Sequence, residues 1–199
     1  MFVALELPDP VKEFAAREIA LLKKSGADVK WVRPEALHMT LKFLGEVEPE
    51  RAAGLGRAVE RACADRAALK LHLKGAGAFP SPQRPRVIWL GLAGQLTLLT
   101  ELAEAVDLEM GDLGFPLEER PFQAHLTLGR LREARGRGRK SAPQAPAGPL
   151  TRALVDRAHL TGEPFTAQRV VLMRSTLTPA GAVYAPVAEC ELAPAGAGE

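Results

Sequence analysis

The chain has 199 residues, 47% hydrophobic and 25% charged, with a formal net charge of +2 at neutral pH. These are ordinary globular values for a chain long enough to bury a substantial core, and the net charge is too small to indicate a nucleic-acid binder by itself. Two cysteines, Cys63 and Cys190, in no metal-ligand spacing argue against a disulfide framework or a cysteine-rich zinc site, and no run approaches the roughly 18 apolar residues of a spanning helix.

Phe2 to Leu7 is a short apolar stretch stopped by Pro8. Asp9-Pro10 then offers an N-cap and a proline at the first helical position, and Val11, Phe14, Ala15, Ile19 and Leu22 keep a helical period up to Gly26. Val29 to Val32 and Leu37 to Leu44 read as strands around Pro34, and Pro49 to about Arg66 as a second helix weakened by Gly54 and Gly56. Leu69 to Lys74 alternates apolar and basic residues as a half-exposed strand, and Val87 to Leu92 is another. After Gly94 the run to about Leu113 is the clearest helix, with Leu98, Leu102, Val106 and Met110 on one face. Pro121 precedes a strand from Phe122 to Leu131.

From Arg132 to Pro149 arginine, glycine, alanine and proline replace large apolar residues, which predicts a mobile basic loop. Six basic residues and one acid lie between Arg130 and Lys140. Leu150 to His159 reads as a short helix, and Val170 to Met173 with Val183 to Leu192 as a closing hairpin around Thr178-Pro179-Ala180-Gly181. Strands and helices interspersed without the glycine-rich first turn of a doubly wound sheet predict an α+β fold with antiparallel sheets. The start, Met1 to Pro8, lacks the basic and longer apolar regions of a signal peptide, so a reducing cytoplasm is the expected compartment.

One unit repeats: His38-Met39-Thr40-Leu41 recurs as His125-Leu126-Thr127-Leu128. Side chains alternate faces along a strand, so each histidine shares a face with the threonine two residues on, while Met39, Leu41, Leu126 and Leu128 turn to the core. Two imidazoles and two hydroxyls at one cleft suit acid–base chemistry on an oxyanion. Opening a strained cyclic phosphodiester with water needs one group to deprotonate the water and another to protonate the departing ribose oxygen. Imidazoles, titrating at about 6.5, fill both roles near neutral pH. Thr40 and Thr127 would donate to non-bridging phosphate oxygens. Arg130 would neutralise phosphate if the strand twists or ends there, and the basic loop would attract an RNA backbone at low salt. No metal or other cofactor is required. His72 and His159 lack the pattern and read as surface or packing residues, while Phe43, Trp31 and Trp89 read as core.

Three stretches, Trp31-Val-Arg-Pro-Glu-Ala-Leu-His-Met-Thr-Leu-Lys-Phe-Leu-Gly-Glu-Val47, Phe122-Gln-Ala-His-Leu-Thr-Leu-Gly-Arg130 and Val171-Leu-Met-Arg-Ser-Thr-Leu-Thr-Pro-Ala-Gly-Ala-Val-Tyr184, resemble the bacterial and archaeal RNA 2′,3′-cyclic phosphodiesterases. These were long called 2′-5′ RNA ligases and belong to the two-histidine (2H) phosphoesterase superfamily. The resemblance implies a bilobal, pseudo-two-fold fold, in which two antiparallel sheets line a central cleft and helices lie outside. It implies one domain over residues 1–199, made of two intertwined lobes. It also implies His38 as proton donor to the leaving 3′-oxygen, His125 as base on water, Thr40 and Thr127 as phosphate-binding residues, and a 2′-phosphomonoester product. The same chemistry run backwards joins a cyclic phosphate end to a 5′-hydroxyl. The expected partner is RNA with 2′,3′-cyclic phosphate ends, tRNA fragments among them, acted on by a monomer away from membranes. The alternatives are a phosphodiesterase for small cyclic phosphates, a non-catalytic RNA-end binding module, and a metal site on His38 and His125, the last disfavoured by the lack of a carboxylate or thiolate at ligand spacing.

Overall fold

The computed structural model describes residues 1–132, 148–178 and 181–194. The chain opens with β1 (Phe2–Leu5), α1 (Asp9–Lys23), β2 (Val29–Trp31) and β3 (Met39–Phe43), with a 3-10 turn at Pro34–Ala36 between the last two. It continues through α2 (Ala52–Cys63), a long hairpin of β4 (Leu69–Ser81) and β5 (Arg84–Gly94), α3 (Leu96–Asp112) and β6 (His125–Leu131). Beyond these come α4 (Pro149–Val155), β7 (Phe165–Ala167), β8 (Arg169–Thr178) and β9 (Gly181–Glu191). The named strands form two antiparallel sheets, in the orders β3-β1-β8-β9 and β2-β6-β5-β4-β7, as the α+β reading requires. β1 lies between β3 and β8, with Val3 opposite Lys42 on one side and Leu172 on the other, so the two ends of the chain build one sheet together.

Helices pack on both sheets: α2 on β8 and β9, α3 on β3 and β4, and α4 on β4. Val3, Leu5, Met39 and Leu172 from one sheet and Ile88, Leu90, Leu126 and Leu128 from the other are all fully buried. Burying such a side chain is worth about 1.5–3 kcal/mol, so the apolar half of each repeated unit anchors the polar half.

The structure departs from the sequence reading in definite places. Asp9 is the first helical residue of α1 and makes no side-chain cap; Pro8 precedes it. The second helix starts as a 3-10 turn at Pro49–Arg51 and stops at Cys63. α3 turns Leu99 inward with Leu102, Val106 and Met110, and leaves Leu98 exposed. β4 runs seven residues past Lys74, through Gly75-Ala76-Gly77-Ala78, a stretch of weak strand formers. Packing overrides propensity there: a Cβ on Gly77 would sit 2.4 Å from Cζ2 of Trp89, because the indole lies across that glycine. β7, three residues on the sheet edge, was not expected, β6 starts at His125 rather than Phe122, and α4 ends at Val155. The stretch from Arg132 to Pro149, read as a mobile basic loop, lies outside the described residues except at its ends. Among the described residues, no helix is long and apolar enough to cross a membrane.

Candidate active site

Each repeated unit lies where a strand begins: His38 immediately precedes β3, and His125 opens β6. The two strands pack against each other, and a short segment fixes them there. Trp31 of β2 stands opposite Gly129 of β6, and the Val32 amide donates to the Leu128 carbonyl at 2.8 Å. Five residues, three of them in the 3-10 turn, then separate Val32 from His38. Arg33 Nη2 ties this segment to the other sheet by donating to the Ala182 carbonyl at 3.1 Å. The chain can therefore leave the sheet of the second unit and deliver the first unit only a short distance away.

The two units share a backbone irregularity that periodicity does not reveal. Thr40 pairs with Ala4 and Lys42 with Val3, so Leu41 is an extra residue opposite no partner. Thr127 pairs with Trp89 and Gly129 with Ile88, so Leu128 is extra in the same way. A bulge of one residue reverses the face of everything beyond it. The fifth residue after each histidine, Phe43 in one unit and Arg130 in the other, therefore returns to the face of its histidine and threonine. Phe43 stands opposite Phe2, on the face of Ala4 and Thr40; Arg130 stands opposite Val87, on the face of Trp89 and Thr127.

This corrects two sequence readings. Phe43 is 61% exposed and is not core, and Arg130 reaches the site face through a bulge rather than a twist or a strand end. Trp31 and Trp89 are half-buried, Trp31 packing against the core and Trp89 lying on the site face. Lys42 takes the inward place. It is 3% exposed, pairs with Asp107 of α3 and donates to the Pro116 carbonyl at 2.7 Å. Leu41-Lys42-Phe43 alternates regularly in the sequence, so nothing in it signals the bulge.

The histidines are held alike. Nδ1 of His38 lies 2.8 Å from the Ala36 carbonyl and Nδ1 of His125 lies 2.7 Å from the Gln123 carbonyl, each two residues upstream. A carbonyl only accepts, so each Nδ1 carries the hydrogen and each neutral ring keeps its free lone pair on Nε2. Aromatic rings fix the planes. Phe2 stacks on His38 with centroids 4.5 Å apart, Tyr184 meets it edge-on at 5.1 Å, and Phe79 meets His125 edge-on at 5.1 Å. Gly91 faces His125 directly across β5, and a Cβ there would come 2.6 Å from the Lys74 carbonyl oxygen. Burial pushes the His38 imidazole below its usual value, and the hydrogen bond to the Ala36 carbonyl opposes this in part. Both rings and both threonines are half-buried, and neither hydroxyl has a hydrogen-bond partner among the described residues. Phe2, Tyr184 and Phe79 were missed by sequence reasoning because each reaches the site from another strand.

His72 is half-buried and His159 exposed, and neither joins the site. Among the described residues, no group of three or more His, Cys, Asp or Glu is placed to hold a metal ion. A hollow of about 300 Å³ beside Lys12 and Arg169 contains no residue of the repeated units, and its guanidinium is taken by Glu6, Glu189 and Glu191. Cys63 and Cys190, distant in sequence, are neighbours in space and both free; burial first, then the adjacent thiol, pushes the Cys63 pKa up.

The family model described as LigT like Phosphoesterase matches residues 5–89 and 91–184, with one histidine unit in each stretch. The chain belongs to the LigT-like phosphoesterase family. His38 lies 33 residues after the start of the first matched stretch and His125 34 after the start of the second, which agrees with the shared bulge in making the two units counterparts. Among LigT-like relatives, an RNA 2′,3′-cyclic phosphodiesterase of Methanothermobacter thermautotrophicus is 32% identical over 92% of this chain and 93% of its own. One of Thermotoga maritima is 30% identical over 96% and 94%. A solved Thermus thermophilus protein superposes with a TM-score of 0.72 at 27% identity, covering 98% of both chains. Escherichia coli LigT solved with 3′-AMP gives 0.69 at 25% identity over 96% of each. The LigT-like fold, two antiparallel sheets with helices, is thus found from both sequence and coordinates.

Proposed function

We propose that this protein hydrolyses RNA 2′,3′-cyclic phosphodiester ends to 2′-phosphomonoesters by acid–base catalysis between His38 and His125. The observation that carries the reading is the matched pair of imidazoles at the heads of abutting strands. Each is locked as the Nδ1–H tautomer by the carbonyl two residues upstream, offers Nε2, and is backed by a threonine with no hydrogen-bond partner among the described residues. The named relatives, similar over nearly their whole length, support the same substrate class.

In the proposed reaction His125 Nε2 takes a proton as the water oxygen bonds to phosphorus. His38 Nε2–H gives one to the 3′-oxygen as the P–O3′ bond breaks. The ring protons then re-equilibrate with solvent. Thr40 and Thr127 donate to the non-bridging oxygens where charge develops; removal of one such donor typically costs about 10²–10³-fold in kcat. Arg130 adds positive charge on the same face, and Phe43 offers an exposed ring beside Phe2, with centroids 6.2 Å apart, on which a terminal base can stack. Two imidazoles suffice for these proton transfers, so the reaction is proposed to need no metal. With a 5′-hydroxyl in place of water, the same displacement forms a P–O5′ bond as P–O3′ breaks and joins two RNA ends through a 2′-5′ linkage.

The deciding experiment uses an RNA oligonucleotide ending in a 2′,3′-cyclic phosphate, with and without a chelator. The expected product carries its phosphate on the 2′-oxygen, at the same rate in both. A 3′-phosphate product would reverse the roles of the two rings, loss of rate in chelator would restore a metal site, and salt-dependent binding with no product would leave only an RNA-end binding module.

The acid must be charged and the base neutral, which fixes a pH dependence. With the His38 pKa lowered by burial, the free enzyme loses its acid as pH rises through a value below about 6.5, so the alkaline limb of kcat/KM falls on the acidic side of neutrality. A bound phosphodiester anion favours the charged ring, so the alkaline limb of kcat lies higher. An acidic limb that vanishes in His38→Gln would show instead that His38 is the base.

A further inference from the structure

Lys30 and Arg130 stand directly opposite each other across β2 and β6. Directly opposed residues send their side chains to one face. Arg130 is opposite Val87, which shares a face of β5 with Trp89 and Gly91, the partners of Thr127 and His125. The two cations therefore project together from the face that carries the second unit. Both are exposed, and neither has an ion-pair partner among the described residues. The nearby carboxylate of Asp28 is engaged by Arg132 at 3.5 Å. Like charges directly opposite on a strand pair cost stability, so two uncompensated cations side by side suit an anion that arrives from outside.

Resting on the phosphodiesterase reading, the geometry points to a second phosphate subsite, Lys30 with Arg130, that takes the phosphate on the 5′ side of the terminal nucleoside. It thereby selects RNA ends over cyclic mononucleotides. Spacing supports this. Trp89 and Val87, opposite Thr127 and Arg130, are two residues apart on β5, which sets the two rows about 6.6 Å apart. One ribose and its two phosphates span such a gap. The guanidinium supplies a planar fork and the ammonium a second point charge, a pair able to hold one phosphodiester from two sides.

The test compares kcat/KM on 2′,3′-cyclic AMP with that on a dinucleotide ending in the same cyclic phosphate, and on that dinucleotide with a neutral methylphosphonate at its internal linkage. The wild-type protein is expected to prefer the charged dinucleotide by about tenfold at low salt, and the preference should shrink as salt rises. Lys30→Gln should lose most of that preference and Lys30→Arg keep it. The methylphosphonate should lose it in the wild type, with no further loss in Lys30→Gln. A preference unchanged in Lys30→Gln, or a methylphosphonate as good as the phosphodiester, overturns the subsite. Equal wild-type hydrolysis of mononucleotide and charged dinucleotide also overturns it while the phosphodiesterase reading stands. No hydrolysis of either substrate overturns both.

Discussion

Alanine in place of His125 is expected to lower kcat for cyclic phosphate hydrolysis by about 10²–10⁴-fold, the usual worth of a positioned general base, while the thermal midpoint stays within about 2 °C. The imidazole lies at the start of β6, half-exposed, and among the described residues its hydrogen bond is to the Gln123 carbonyl and its ring contact is the edge of Phe79. Little folding energy rests on it. His38→Ala should cost as much in rate but more in stability, because that ring is stacked on Phe2 and met by Tyr184. Rings that act as acid and base in one step behave as a unit, so the double variant should be scarcely slower than either single one. Single-turnover rates on a 2′,3′-cyclic nucleotide, with circular-dichroism melts on the same samples, check both statements. A His125→Ala protein retaining near wild-type rate with an intact fold would remove the basis for acid–base catalysis at this site.

Asp107→Ala is expected to destabilise the protein by about 3–5 kcal/mol, the cost of leaving a buried charge unpaired, and to lower the thermal midpoint by about 6–20 °C. Only 2% of the Lys42 side chain is exposed, and without Asp107 its ammonium keeps, among the described residues, the Pro116 carbonyl alone. Lys42→Met should be far milder. Asp107 is less buried, at 18% exposure, and still accepts the Glu118 amide at 3.1 Å. Chemical denaturation of both variants would establish the asymmetry, and equal losses would show that the buried ammonium is not the costly partner. Because Lys42 follows the bulged Leu41, Asp107→Ala should also reduce activity through the strand that carries Thr40, with KM rising as the strand loosens.

The sequence already showed what depends on repetition and alternation. His38, Thr40, His125 and Thr127 could be named from one repeated tetrapeptide, and the buried leucines beside them followed from strand period. What it withheld depends on departures from that period. The extra residues at Leu41 and Leu128 exchange the faces of Lys42 and Phe43 and of Gly129 and Arg130, and a regular alternation misassigns all four. The far half of β4 was hidden because glycine and alanine there are chosen to admit the Trp89 indole, a contact made across the sheet. The cation pair of Lys30 and Arg130 was likewise invisible, since it exists only in the pairing of two strands about a hundred residues apart.

The unpaired leucine in each unit also makes a flaw in the ladder a chemical requirement. A strand of the same length that paired without that flaw would aim the guanidinium of Arg130 into the oily interior and bring Gly129 to the surface in its place. Hydrogen bonding between neighbouring strands would survive such a slip almost intact, yet the ring and the positive charge would then stand on opposite sides of the sheet.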